Sequence, residues 1–148
     1  MAVRILLADD HTIVLQGLSR FLREQPGLEV VGQAKDGPKA VELARELAPD
    51  VVIMDISMPG LSGVEATRVI HSEKPEIKII GLSMHASKRY VQEMYKAGAS
   101  GYLLKDCDFD ELVAAINAVA AGGTYFAGEF GEIVAREAGQ SSPAPGHG

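Results

Sequence analysis

The feature that most constrains the fold is a recurrence. Apolar, strand-like runs begin near Val3, Leu28, Val51, Ile77 and Gly101, 23 to 26 residues apart, and segments with helical spacing fill the gaps. Alternation of this kind implies crossover connections, and hence a parallel sheet with helices on both faces. The most informative run is Val51-Val52-Ile53-Met54-Asp55. Its four apolar residues, three of them β-branched, read as a strand buried on both faces. It ends in a carboxylate and runs into Ile56-Ser57-Met58-Pro59-Gly60, a turn by composition. Leu28 to Ala34 alternates with Glu29 and Gln33, and the run at Gly101 is short, so both are expected at sheet edges. This pattern fits a flavodoxin-like, five-stranded α/β sheet of order 2-1-3-4-5, in which strands one and three meet at the switch point.

The helical segments carry apolar stripes of unequal strength. Val14, Leu18, Phe21 and Leu22 line the first, after His11. Val41, Ala44 and Leu47 line the second, which opens at Gly37-Pro38 and stops at Ala48-Pro49. Ala66, Val69 and Ile70 follow the capping-box pattern Ser62 to Glu65. From Ser87, Val91, Met94 and Tyr95 make only a weak stripe, which suggests a movable element. From Asp108 the stripe is Leu112, Val113, Ile116, Val119 and Ala120. Residues 1–123 thus read as one domain. Residues 124–138 read as a linker or short helix with Phe130, Ile133 and Val134 on one face. Residues 139–148 hold no Asp, Glu, Lys or Arg and read as a disordered tail.

Polar groups gather at the carboxyl ends of the runs, where open α/β sheets bind ligands. They are Asp9 and Asp10, Asp55, Ser83 and Lys105. Taken singly, each has a plain role as a helix cap, a turn residue or a solvated side chain. Independent caps would not be expected to converge on one edge. Clustered carboxylates raise a pKa or bind a cation. Hard oxygen ligands with room for water suit Mg²⁺. A carboxylate can also be the nucleophile that forms an aspartyl phosphate. The transferring group needs charge neutralisation, which a metal and Lys105 could share, and Ser83 could donate a hydrogen bond to it. The chemistry that this set supports is phosphorylation of Asp55.

The net charge of −6 and pI near 5.2 argue against a general nucleic-acid surface. The single cysteine, Cys107, suits a reducing compartment, and no leader pattern or membrane-length apolar run is present, so a cytoplasmic location is expected. His11 and His85 have no partners at zinc spacing, which leaves them surface or supporting roles.

The stretches Ala8-Asp9-Asp10-His11, Met58-Pro59-Gly60-Leu61-Ser62-Gly63, Leu82-Ser83-Met84-His85 and Gly101-Tyr102-Leu103-Leu104-Lys105-Asp106 resemble the receiver domain of bacterial two-component response regulators. Within that family they are similar to the NarL/FixJ (LuxR-type) branch, over roughly Val3 to Tyr125. The resemblance implies that a histidine kinase phosphorylates Asp55, and that Asp10, Asp55 and the Ser57 carbonyl bind Mg²⁺ with Asp9 acting through water. It implies that Ser83 and Lys105 grip the phosphoryl group, and that Tyr102 is an aromatic switch which turns inward with Ser83. Activation is expected to be read out on the fourth helix, fifth strand and fifth helix, with possible homodimerisation. The chain is then a phosphoacceptor that supports its own phosphoryl transfer and autodephosphorylation, not a turnover enzyme. Asp106 stands where many members have proline, and Met84 where many have a very small residue. The branch normally carries a carboxyl-terminal helix-turn-helix domain that regulates transcription. That domain is absent from these 148 residues, so the chain alone is expected not to bind DNA. A stand-alone receiver that acts by protein contact is the alternative. A haloacid-dehalogenase-like phosphatase needs an acid where Ser57 stands, and in a flavodoxin Asp9 and Asp10 would repel the FMN phosphate.

Overall fold

The structure, a computed structural model, describes residues 2–58, 60–84, 87–126 and 128–141, with side chains up to Ala138. The chain alternates β1 (Val3–Ala8), α1 (Thr12–Arg23), β2 (Leu28–Ala34), α2 (Gly37–Leu47), β3 (Val51–Asp55) and α3 (Gly63–Glu73). It continues with β4 (Lys78–Ser83), α4 (Lys88–Ala97), β5 (Gly101–Leu104), α5 (Phe109–Ala120), β6 (Tyr125–Phe126) and α6 (Glu129–Ser141). All strand pairings are parallel, in the order β2-β1-β3-β4-β5-β6.

The period-two alternation of a strand sends successive side chains to opposite faces. In β1, Leu6 and Ala8 join Val52 and Met54 of β3 in the layer under α2, α3, α4 and α6. Ile5 and Leu7 join Val51 and Ile53 in the layer under α1 and α5. Both layers are needed, because β3 is buried along its whole length. The cap residues behave as their types suggest. Ser62 accepts from the Glu65 N–H at 3.2 Å, Asp108 from the Glu111 N–H at 2.8 Å, and Asp36 from the Lys39 N–H at 2.7 Å.

Gly63 shows how closely the sheet and a helix meet at the site. A methyl group there would overlap the Asp55 carbonyl and the Ile56 backbone, so only glycine lets α3 begin directly against the end of β3.

Two expectations need correction. The sheet has six strands, not five, and β5 is not its edge. Tyr125 and Phe126 pair with Gly101 and Tyr102, and the Tyr125 N–H donates to the Ser100 carbonyl at 2.9 Å. A two-residue strand is too short to show a period, which is why alternation could not reveal it. The weak stripe of α4 is also deeply packed, with Val91 and Met94 fully buried and Ala97 nearly so.

The cause lies partly in α6, whose Phe130 and Ile133 join the same buried layer. That helix runs through Ser141, three residues into the segment expected to be a tail. Residues 142–148, the rest of that segment, lie outside the described residues, as do Pro59 and His85. Among the described residues no helix is long and apolar enough to cross a membrane.

Candidate functional site

Sheet register sets the polar strand ends side by side. Ala8 pairs with Met54, so Asp9 and Asp55 leave the two central strands at one level. Ser83 pairs with Leu104, and the Lys105 N–H donates to the Ser83 carbonyl at 2.8 Å. Four residues far apart in sequence thus share one edge. Asp9 and Asp55 are each 1% exposed.

Lys105 bridges them, its Nζ 3.0 Å from Asp9 Oδ2 and 3.2 Å from Asp55 Oδ2. These distances are those of ion pairs, yet neither oxygen accepts a well-aligned hydrogen bond. Asp10 Oδ1 is likewise buried without one, although His11 Nδ1 lies 3.1 Å away. Asp10 does not cap α1; the N-cap position belongs to His11, which makes no side-chain capping bond. The remaining oxygens are better supplied. Asp55 Oδ1 accepts from the Ser57 N–H at 3.1 Å, and Asp9 Oδ1 from the His11 N–H at 2.8 Å.

The electrostatics follow from crowding. Burial raises the Asp55 pKa, the Ser57 N–H opposes it, the charge of Asp9 adds to it, and Lys105 offsets part. For Lys105, burial acts to lower the pKa but is outweighed by its close contact with Asp9 and by the charges of Asp55 and Asp9, so the group is held charged. Carboxylate oxygens of Asp9, Asp10 and Asp55, together with a nitrogen of His11, lie within 4.8 Å of one another. Three buried oxygens that accept no well-aligned hydrogen bond, and the all-carboxylate core of this set, suit a hard cation.

His11 is the member that zinc spacing does not suggest. Its adjacency to Asp9-Asp10, closed by the turn from its own N–H to Asp9, was the available signal. Tyr102 is fully buried, not half-buried as a sheet residue of its type would be. Burial raises its hydroxyl pKa, and a side-chain hydrogen bond with Ser83 works against the rise. Met84, next to Ser83, is 70% exposed.

Cys107, two residues after Lys105, is held as the thiol. Burial first, then Glu111, Asp108 and Asp106, push its thiol up to about 11. Two units above the ordinary value, 9.0, means a thiolate fraction about a hundredfold smaller at pH 8. Iodoacetamide is expected to alkylate Cys107 in the native protein about that much more slowly than in urea. Equal rates in a folded sample would contradict the assigned burial.

The sequence profile of the response regulator receiver domain matches residues 5–117. The transcriptional regulatory protein DegU of Brevibacillus brevis is 46% identical over 123 residues, 83% of this chain and 52% of its own. The response regulator UvrY of Escherichia coli (strain K12) is 41% identical, over 90% of this chain and 61% of its own. A LuxR-family two-component response regulator of Aurantimonas sp. SI85-9A1 superposes with a TM-score of 0.85 at 39% identity, covering 93% of this chain and 98% of that one. The receiver domain of the putative response regulator NarL from Mycobacterium tuberculosis gives 0.79 at 34% identity, covering 82% and 98%. The chain belongs to the response regulator receiver family, in its NarL/FixJ (LuxR-type) branch. It spans about half to three fifths of the length of the curated relatives it matches.

Proposed function

We propose that Asp55 is the phosphoacceptor of this receiver domain, supplied by a histidine kinase and passing the signal to a transcription-regulating output. The observation that carries this reading is the pair of buried carboxylates, Asp9 and Asp55, bridged by Lys105 at the end of the two central strands. An Asp55 oxygen attacks phosphorus, an O–P bond forms, and the P–N bond to the donor histidine breaks with its electron pair leaving on the imidazole. Lys105 exchanges a carboxylate partner for a phosphoryl oxygen, and Ser83 donates its hydroxyl proton to another. Asp10, Asp55 and the Ser57 carbonyl would hold Mg²⁺, with Asp9 acting through water. When bound there, the ion supplies positive charge to the phosphoryl oxygens.

Phe109, 49% exposed, lines one cavity with Met84 and Lys105, and Ile13 of α1 is 84% exposed. These suit a protein donor docking over α1 and the start of α5, in the cytoplasm. The domain accepts a phosphoryl group and loses it by hydrolysis, and is not a turnover enzyme. Its acidic balance counts against DNA recognition by these residues, so output runs through protein contact, homodimerisation included, with DNA recognition assigned to other parts of the regulator.

Incubation with Mg²⁺ and acetyl phosphate is expected to add one hydroxylamine-labile phosphoryl group by intact mass. Asp55→Asn should add none. Equal incorporation by the variant would move the phosphoacceptor elsewhere.

A further inference from the structure

Helix α6 closes over the same tyrosine that partners Ser83. The Phe130 ring stands edge-on to Tyr102, centroids 5.0 Å apart at 71°. Ile133 is 9% exposed, and Glu137, at 5%, reaches Lys96 of α4 at 3.3 Å. Tyr102 therefore meets both Ser83 and α6. We propose that α6 is a latch linked to the phosphorylation site through Phe130, Tyr102 and Ser83, so that phosphorylation of Asp55 tightens α6 onto the domain. This rests on the receiver reading of Asp55.

The coupling is a matter of donors and acceptors. A serine hydroxyl has one proton to donate and lone pairs to accept with. Once the Ser83 proton is committed to a phosphoryl oxygen, the buried Tyr102 hydroxyl is left to donate to Ser83 Oγ. The chain from tyrosine to serine to phosphoryl oxygen then polarises along its length and holds each member more firmly. A firmly held Tyr102 is a firm floor for Phe130, and a loosened one removes that contact. Linkage makes the effect reciprocal, so that α6 docking must favour the phosphorylated state by the same factor.

The test uses the full chain with Mg²⁺ and beryllofluoride as the phosphoryl mimic. Bound beryllofluoride is expected to slow amide exchange between Ile133 and Glu137 by about fivefold or more, the ordinary range of a coupling between sites. Phe130→Ala, and Lys96→Ala at the other end of the latch, should both weaken beryllofluoride binding. Lys96→Ala carries the test by itself if Phe130→Ala does not fold, since Lys96 pairs with Glu137 and is not part of the site formed by Asp9, Asp10, Asp55 and Lys105. Beryllofluoride that binds, seen by fluorine NMR, without changing α6 exchange or with unchanged affinity in the folded variants overturns the latch and leaves the receiver reading intact. Failure of the parent chain to bind beryllofluoride overturns the assignment of Asp55 as phosphoacceptor, and the latch with it.

Discussion

Lys105→Met is expected to cost the metal-free protein about 3–5 kcal/mol near neutral pH, the range for removing one partner of a buried ion pair. The lysine side chain is 8% exposed and stands within 3.2 Å of carboxylates that are 2% and 1% exposed. Methionine preserves much of the volume and removes the charge, leaving two buried anions without the cation they share, held by the Ser57 and His11 N–H groups. The loss should depend on pH, with a definite sign. Asp55 already has its folded pKa raised above the ordinary 3.8, chiefly by burial, and removing Lys105 raises it further. A carboxylate of this kind destabilises the fold when ionised, so the penalty is full above the folded pKa and shrinks as pH falls toward the unfolded one. Urea unfolding of parent and variant, near neutrality and about two units lower, measures both the size and the slope. A pH-independent loss below about 1 kcal/mol would place Lys105 among surface pairs and contradict the bridge.

Mg²⁺ is expected to stabilise the parent by about 2.7 kcal/mol at a hundred times its dissociation constant, by mass action alone. The increment should nearly vanish in Asp10→Ala. That variant should also melt higher than the parent in chelator, because one of the crowded charges is gone while Lys105 still serves Asp9 and Asp55. A thermal melt of each protein with chelator and with saturating Mg²⁺ gives the four values required. An undiminished metal shift in Asp10→Ala would remove Asp10 from the ligand set.

The central site was readable because its residues are strand ends. A parallel sheet delivers the residue after each strand to one edge, so the order of the runs placed Asp9, Asp10, Asp55, Ser83 and Lys105 together before any contact was known. The helices between them were legible for a similar reason: local periodicity and caps such as Ser62 and Asp108 depend on near neighbours in the chain.

Pairings made at long range were not legible. No feature of the sequence says that Lys105 bridges Asp9 as well as Asp55, or that His11 folds over the acids. Nor does the α4 stripe reveal its depth, because part of its burial comes from Phe130 and Ile133 on a segment whose own pattern was weak. The chain by itself determined the alternation, the strand order and the acid edge, since each follows from residue spacing and sheet geometry. Only the tertiary structure decided the sixth strand and the seat of α6 on Tyr102. Two residues of ladder and one ring contact carry no period, and they form only after the rest of the sheet supplies the surface on which they rest.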